Sequence, residues 1–375
     1  MGLGSIEDLH HERSVTFHIG SAFFRPQSQW VRDLGVLAAA VYRHQRGHLR
    51  VLETMAASGV RSLRYGLEAG ADRLWTNEAN PDLAPLLAQN LQPLGDRLHL
   101  THQDGLQTLA HCIAQGDFYD LVDVDAFGNP SPFIPFALGA TRLGGLVYLT
   151  ATDGRTLGGH DPAQALQRYG TYGRAHPSAQ EQGLRILMGQ LAQQATAQGW
   201  GLAPVFATFT GQTFRVMGRL LPKPIPLERL QGFLGYCHGC GHYQPIPWRK
   251  LGQAPCPDPC HIHPRPQPLT LTGPLWLGPL HHGPTLTAMA HQATAWGWDD
   301  CAQSIAPLLE EADLPPYHFT LGELGRRGRM DPPRRGDLLA ALRGAGYQAS
   351  GLHWNPQAFK TNASIAQCLA LARPV

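Results

Sequence analysis

Four cysteines in the second half of the chain have the spacing of a metal site. Two residues separate Cys237 from Cys240, fifteen separate the two pairs, and three separate Cys256 from Cys260. Thiolates on two such turns bind zinc tetrahedrally. The spacing within the second pair is one residue longer than usual, and prolines flank its cysteines. Four nearby histidines are therefore alternative ligands: His238, His242, His261 and His263. The spacing predicts a structural zinc ion held by the four cysteines.

A second group of residues has the layout of a nucleoside site. Residues 56–59 are small (Ala-Ala-Ser-Gly), so a ligand can lie against their backbone, and neither a dinucleotide-type nor a phosphate-loop glycine pattern is present. Glu78 can accept hydrogen bonds from two ribose hydroxyls, and Asp104, followed by Gly105, can accept one from the adenine amino group. Each acid alone could be a helix cap or a surface residue. Together and in this order they predict an S-adenosylmethionine site.

A third motif pairs carboxylates with an aromatic ring. The run Asp123-Val-Asp125-Ala-Phe-Gly-Asn-Pro130 resembles the Asp/Asn-Pro-Pro-aromatic motif of amino-group methyltransferases. An amine conjugated to a purine is a poor nucleophile, and a carboxylate that accepts its N–H orients the lone pair and can take the proton. The aromatic ring would stack on the base. Solvation of a strand end is the alternative explanation of the two acids.

The elements that must position these residues alternate between strands and helices. Apolar runs at residues 48–53, 73–78, 97–102, 118–125 and 145–150 read as strands, and residues 61–68 and 81–91 read as helices. Helix-separated strands predict a mostly parallel α/β sheet whose ligands bind at the carboxyl ends of the strands. Residues 202–210 and 213–221 read as a hairpin that closes the sheet.

A proline-rich boundary at residues 221–226 divides the chain into two predicted domains, 1–222 and 223–375. In the second domain, residues 320–327 and 334–343 read as helices and 347–353 as a strand, which suggests a winged-helix-like unit. A basic run at these helices is predicted to bind nucleic-acid phosphates, with a solvated helix face as the alternative: Arg326, Arg327, Arg329, Arg334 and Arg335.

Composition excludes several classes of protein. The 375 residues are 43% hydrophobic and 15% charged, which is typical of a packed globular chain, and the net charge of +2 neither requires nor forbids a nucleic-acid partner. No apolar run reaches the length of a membrane helix, and the start of the chain lacks a signal-peptide core. A cytoplasmic protein with no membrane partner is expected.

The chain is most similar to one family, the tRNA guanine-26 N2-dimethyltransferases. The first matching segment is Phe23-Phe-Arg-Pro26, followed by Arg32-Asp33. The cofactor loop at residues 56–68 and Asp123-Val-Asp-Ala-Phe-Gly128 also resemble family motifs. In the tail, so do the runs at residues 273–280 and 355–362. The likeness spans nearly the whole chain.

The resemblance implies a Rossmann-like class I S-adenosylmethionine methyltransferase domain, followed by a zinc-containing α+β domain that binds tRNA. It implies that Asp125 is the catalytic carboxylate and that Phe23 and Phe127 hold the guanine. The implied cofactor-binding residues are Arg32, Ser58, Gly59, Arg61, Glu78, Asp104 and Gly105. Ala126 departs from the family pattern, which has proline there, and Arg25 stands where the family has asparagine.

Two other functions remain open from the sequence. A methyltransferase for another amino substrate, such as DNA adenine, would share the carboxylate motif, although the zinc segment and the tail motifs favour tRNA. An RNA-binding protein with a relict cofactor site is the non-enzymatic alternative, and Ala126 is the feature in its favour. A cofactor-dependent methylation assay separates the two.

Overall fold

The computed structural model describes residues 9–252, 254–256 and 268–373. It begins with an antiparallel hairpin of β1 (Leu9–Glu12) and β2 (Val15–His18), followed by the long helix α1 (Gln29–Arg46). Nearly every residue of α1 from Val31 to Tyr42 is buried. This helix ends at Gly47, whose φ of 78° is the left-handed conformation that glycine adopts at a helix C-terminus.

A seven-stranded sheet forms the centre of the molecule, in the order β5-β4-β3-β6-β7-β9-β8. Five strands of this sheet, β3 to β7, are parallel to one another. Strand β9 runs antiparallel to β7, and β8 runs antiparallel to β9 and so in the same direction as the parallel strands. The strands are β3 (Arg50–Glu53), β4 (Arg73–Asn77), β5 (Leu98–Thr101), β6 (Tyr119–Asp125), β7 (Thr141–Ala151), β8 (Gly201–Thr210) and β9 (Thr213–Leu221).

Helices connect the parallel strands and cover the sheet. They are α2 (Val60–Leu67), α3 (Ala84–Leu91), α4 (Gly105–Gln115), α5 (Ile134–Ala140), α6 (Gly154–Leu157), α7 (Pro162–Tyr169) and α8 (Ala179–Ala197). The central strand β6 is buried along almost its whole length because helices cover both faces of a parallel sheet. The predicted alternation of strands and helices, including the β8–β9 hairpin, is confirmed.

Two small sheets follow the central one. The first has the order β11-β10-β12 and the second β13-β15-β14. Their elements, with the remaining helices, are α9 (Leu227–Leu230), β10 (Gln231–Tyr236), β11 (Tyr243–Pro247), β12 (Thr270–Trp276), α10 (Gly283–Ala295), α11 (Asp299–Glu310), β13 (Phe319–Thr320), α12 (Leu321–Gly328), α13 (Arg335–Gly344), β14 (Ala349–Leu352), β15 (Asn355–Thr361) and α14 (Ile365–Ala372). The two helices and the strand predicted between residues 320 and 353 are confirmed.

The parts before and after residue 222 pack closely together. Trp276 of β12 belongs to the same buried cluster as Leu187 of α8, and Met289 of α10 to the same cluster as Leu37 of α1. Among the described residues, no helix is long and apolar enough to span a membrane.

Candidate functional site

A cavity of about 270 Å³ opens where the parallel strands of the central sheet end. The loops after β3, β4 and β6 meet there, as expected for the carboxyl ends of a doubly wound sheet. The cavity brings together most of the residues predicted from sequence: Phe23, Arg32, Ser58, Arg61, Glu78, Asp125 and Phe127.

The loop after β3 forms one wall, and Glu78 holds it in place. The carboxylate of Glu78 accepts hydrogen bonds from the backbone N–H of Ala57 at 2.8 Å and from that of Asn80 at 2.9 Å. Gly59 begins α2 with a φ of 77°, and a Cβ there would lie 2.9 Å from Leu87. A larger residue would therefore push α2 from α3, so this glycine shapes the wall without lining the cavity.

Arg61 joins the two acids of the third motif. It donates from Nη1 to Asp123 at 2.8 Å and from Nη2 to Asp125 at 2.7 Å. Asp123 is fully buried and also accepts a hydrogen bond from the Tyr65 hydroxyl at 2.7 Å. Burial raises the pKa of Asp123. Arg61 therefore pairs with both acids, a buried one and one that lines the cavity.

Asp125 lines the cavity and is held ionised. Burial alone would raise the pKa of this carboxyl, but the positive charges of Arg61 and Arg215 outweigh that effect, so its pKa lies below the ordinary value of an aspartic acid. A carboxylate in this state accepts hydrogen bonds and donates none, which suits it to orient an N–H group.

Phe23 and Phe127 form an aromatic pair at the mouth of the cavity. Their ring centroids lie 5.0 Å apart in an edge-to-face arrangement, and the two residues are 51% and 71% exposed. The loop that carries Phe127 is tied to Thr152, whose hydroxyl accepts the backbone N–H of Gly128 at 2.6 Å. Exposed rings of this kind are stacking surfaces for nucleobases.

Three predicted cofactor residues have different surroundings from those expected. Asp104 is exposed, and its Oδ1 accepts the backbone N–H groups of Leu106 and Gln107, so it caps α4. Neither Asp104 nor Gly105 lines the cavity, and their contact with adenine stays a prediction. Arg32 lines it, but its guanidinium is paired with Glu12 at 2.5 Å.

Sequence reasoning missed two ionisable residues that line the cavity, Glu53 and Arg215. Glu53 is the last residue of β3, and Glu78 directly follows β4. The position of Glu53 at a strand end could therefore have indicated a ligand-facing residue. Burial and the neighbouring Asp123 raise the pKa of Glu53 to about 8. Arg215 lies within β9, and nothing in the sequence distinguishes it from a surface residue of a hairpin strand.

Three of the predicted zinc ligands converge. The Sγ atoms of Cys237, Cys240 and Cys256 lie within 4.8 Å of one another. The first pair sits on a tight turn in which Cys237 accepts the N–H of Gly241, whose φ is 84°. Cys260 lies outside the described residues, as do His261 and His263. The converging thiols fit a tetrahedral zinc site that needs one more ligand.

The predicted basic run divides into two kinds of residue. The side chain of Arg327 is only 6% exposed, because it pairs with Glu323 at 2.9 Å and donates to Tyr236 and to the Gly239 carbonyl in the cysteine turn. The prediction that the run offers its arginines to phosphates is therefore wrong for Arg327, which joins α12 to the cysteine turn. Arg326, Arg329 and Arg334 are exposed.

A second cluster of possible metal ligands is closed by its own hydrogen bonds. His281 and His353 both face the same carboxylate oxygen of Glu311, and His353 also contacts the Thr208 hydroxyl of β8 at 3.0 Å. The shared acceptor explains the convergence of these buried groups without an ion. The cluster connects the central sheet to the elements that follow it.

The strand order of the central sheet and the position of the cavity define the fold of a class I S-adenosylmethionine-dependent methyltransferase. A sequence model of the N2,N2-dimethylguanosine tRNA methyltransferases matches residues 5–373, and this chain belongs to that family.

Curated relatives agree with this assignment. The chain is 31% identical over 356 residues to a tRNA (guanine(26)-N(2))-dimethyltransferase of Pyrobaculum arsenaticum, a match that covers 94% of this chain and 91% of the relative. It is 30% identical to the Methanoculleus marisnigri protein of the same name, over 92% and 90% of the two chains. The structure of Trm1 from Pyrococcus horikoshii with S-adenosyl-L-methionine has the same fold, with a TM-score of 0.82 at 22% identity, over 98% of this chain and 100% of that chain.

Proposed function

We propose that this chain transfers one or two methyl groups from S-adenosylmethionine to the exocyclic N2 of guanine 26 in tRNA. The observation that carries the proposal is the cavity itself, in which an ionised carboxylate, Asp125, stands between a nucleoside-binding loop and an exposed pair of phenylalanines. The relatives named above act on this base, and the chain matches them over almost its full length.

Asp125 is the catalytic carboxylate in this proposal. The N2 amine of guanine is conjugated with the ring, so its lone pair is poorly available. A carboxylate that accepts one N–H orients the lone pair towards the methyl group, and it can take the proton once the new C–N bond has formed. The bound S-adenosylmethionine supplies the electrophilic methyl group. Asp125 repeats its role for a second transfer because the monomethylated amine still carries one hydrogen.

Phe23 and Phe127 would hold the guanine. Their two rings meet edge to face, so the base stacks on one ring or separates the two. The amino group of a paired or stacked purine cannot reach a methyl group in a cavity, so guanine 26 must leave its stack in the tRNA. Exposed rings at the mouth offer a replacement stacking surface at the point of entry.

Other residues would hold the cofactor. Glu78 follows β4 and has carboxylate lone pairs left for the ribose hydroxyls after it accepts two backbone N–H groups. Ser58 and Gly59 would let the nucleoside approach the backbone. Arg61 would hold the carboxylates of Asp123 and Asp125 in place. Asp104 and Gly105 would contact the adenine by a movement of the loop after β5.

The second part of the proposal concerns residues 223–375 as a tRNA-binding domain with a structural zinc ion, and residues 1–222 as the methyltransferase domain. Cys237, Cys240 and Cys256 would bind the zinc with Cys260. The small apolar cluster around these cysteines, with Ile246 and Leu269, is too small to stabilise this segment alone, which favours a metal. The exposed Arg326, Arg329 and Arg334 would contact tRNA phosphates.

The test is methylation of a tRNA transcript with guanine at position 26 by the purified chain and S-adenosylmethionine. Chromatography and mass spectrometry of the nucleosides should show N2-methyl- and N2,N2-dimethylguanosine, and a transcript with adenine at position 26 should give neither. Methylated adenine in a DNA substrate would support a different amino-group methyltransferase. Tight tRNA binding without any methylated nucleoside would support the non-enzymatic alternative.

A further inference from the structure

Arg215 is a buried cation that lines the cavity and forms no ion pair with any residue in the described part of the chain. The residue is 4% exposed and lines the cavity. Its Nη1 donates to the Thr210 hydroxyl at 3.1 Å, and its Nε is buried with no partner among the residues that the structure describes. Buried donors in native proteins nearly always find an acceptor, so the missing acceptor is expected to arrive with a ligand.

The neighbours of Arg215 leave it short of negative charge. Burial lowers the pKa of its guanidinium, and the charge of Asp125 opposes that effect. Asp125 already accepts a hydrogen bond from Arg61 at 2.7 Å, so its single negative charge is shared between Arg61 and Arg215. A hydrogen-bond acceptor on the ligand would therefore stabilise the charge of Arg215 more than that of Arg61, because Arg61 also pairs with Asp123.

The register of the sheet fixes where such an acceptor lies. Asp125 of β6 pairs with Thr150 of β7, and Thr150 pairs with Arg215 of β9. Residues paired in this way project from the same face. Neighbouring strands lie about 4.8 Å apart, so the backbones at Asp125 and Arg215 are separated by about 10 Å. Thr150 lies between them on the same face, so a purine edge would meet Asp125 and Arg215 beyond the short Thr150 side chain, in the cavity that both residues line.

Guanine carries groups of the right kind on that edge. The N2 amine at one end is a donor and O6 at the other end is an acceptor, whereas adenine has an amino donor at position 6. A guanidinium is the side chain that most often reads O6 of guanine. We propose that Arg215 donates to O6 of the target base while Asp125 accepts from N2, and that this contact selects guanine. The inference rests on the proposed function.

The cofactor carboxylate is the competing acceptor. The strand order places β4, which positions Glu78, four strands from β9, whereas β6 with Asp125 is only two strands away. Gln212 of the β8–β9 turn and Thr213, the first residue of β9, line the cavity together with Arg215. Arg215 therefore belongs to the base side of the cavity.

The test compares tRNA carrying guanine or 2-aminopurine at position 26, since 2-aminopurine keeps the amino group and lacks O6. Single-turnover rates and tRNA affinities are measured for wild type and Arg215→Met. Wild type should favour guanine by about 10- to 100-fold in kcat/KM, the value of one charged hydrogen bond. Arg215→Met should lose a similar factor on guanine and show little further loss on 2-aminopurine. The accompanying change at N1 affects both proteins equally and cancels in this cycle.

Arg219→Met is the matched control, because Arg219 lies on the same strand and donates to the Gly144 carbonyl away from the cavity. It should keep the full preference for guanine. Arg215→Lys retains the charge and one donor, so it should keep part of the preference, which a merely structural arginine would not predict. Affinity for S-adenosylmethionine, measured by calorimetry, should be unchanged in Arg215→Met.

Two results would overturn the inference. If Arg215→Met discriminates against 2-aminopurine as strongly as wild type does, Arg215 makes no contact with O6. If instead its affinity for S-adenosylmethionine falls while the preference stays, Arg215 holds the cofactor. Failure of wild type to methylate guanine-26 tRNA at all would contradict the proposed function, and it would be seen before any variant is compared.

Discussion

Replacing Asp125 with asparagine tests the catalytic carboxylate most directly. The change keeps the size of the side chain but makes one of its two terminal atoms a donor. If the amide oxygen accepts from Arg61, as Oδ2 now does at 2.7 Å, the amide nitrogen faces the cavity and meets the N–H of guanine donor to donor. If the amide turns over, it faces Arg61 in the same unfavourable way. Either orientation loses the contact that orients the amine.

The expected loss follows from the role of the group. A positioned carboxylate that accepts a proton contributes about 10²- to 10⁴-fold in rate, or roughly 2.7 to 5.4 kcal/mol of activation free energy. Affinity for S-adenosylmethionine should survive, because Glu78 and the loop at Ala57 do not depend on Asp125. The methylation rate of wild type should not fall near neutral pH through protonation of Asp125, because Arg61 and Arg215 hold the pKa of Asp125 below its ordinary value.

Asp123→Asn is the control for this experiment. Asp123 also pairs with Arg61, but it is fully buried and does not line the cavity, so its substitution leaves the groups that face the substrate in place. Its single-turnover rate should stay within about tenfold of wild type, with the effect appearing in thermal stability instead. Wild-type turnover by Asp125→Asn would refute the assignment. Loss of cofactor binding in that variant would place Asp125 in the cofactor site.

Three further predictions concern stability, metal and tRNA. Glu53, with a pKa raised to about 8, keeps its proton in the folded state between pH 4.5 and 8 while the unfolded state loses it. The free energy of unfolding should therefore fall by about 1.4 kcal/mol per pH unit as pH rises through that window, and Glu53→Gln should remove this slope in denaturant titrations. Purified protein should contain one zinc per chain by elemental analysis, and Cys240→Ser should lose it together with several degrees of melting temperature, before any change in the chemical step; a metal-free wild type would exclude the site. Replacing Arg326 and Arg329 with glutamine should weaken tRNA binding and reduce the slope of log K against log salt by about 0.7 to 0.9 per contact. Arg43→Gln, a change at a partly exposed arginine of α1 that pairs with Asp72, should not. Arg327→Gln should instead lower thermal stability, and an unchanged slope in the double variant would leave Arg326 and Arg329 as a solvated helix face.

The central sheet could be predicted because its strands obey one simple pattern. Runs such as Tyr119–Asp125 are short, are rich in strand-forming residues and end at turn residues, and each of the parallel strands is followed by a helical segment. The β1–β2 hairpin could not be predicted in this way. Its first strand, Leu-His-His-Glu, has no apolar alternation, and Glu12 is buried only because Arg32 and Arg64 pair with it. Such a strand is stabilised by contacts distant in sequence.

The residues of the candidate site also differ in whether the local sequence could predict them. Asp125 ends strand β6, and Glu78 and Phe127 stand in loops that directly follow strands, where the sequence alone indicates a ligand. Arg215 enters the cavity from an antiparallel strand, and its place depends on the pairing of β9 with β7. Arg327 is an error in the opposite direction. The sequence predicts that it is a surface residue of a basic run, but its side chain donates hydrogen bonds to Tyr236 and to the Gly239 carbonyl. Local sequence could not distinguish it from Arg326.

Arg61 links the two halves of the chemistry. The resemblance assigns it to the cofactor, whereas its nearest groups are the carboxylates of Asp123 and Asp125. A guanidinium that stabilises the charge of Asp125 makes that carboxylate a weaker base. This is compatible with transfer to an amine, because the proton becomes acidic only after the nitrogen has gained the methyl group and a positive charge. A weak but firmly oriented acceptor is then sufficient. The pairing with Arg61 therefore favours orientation of the amine, rather than strong basicity, as the contribution of Asp125.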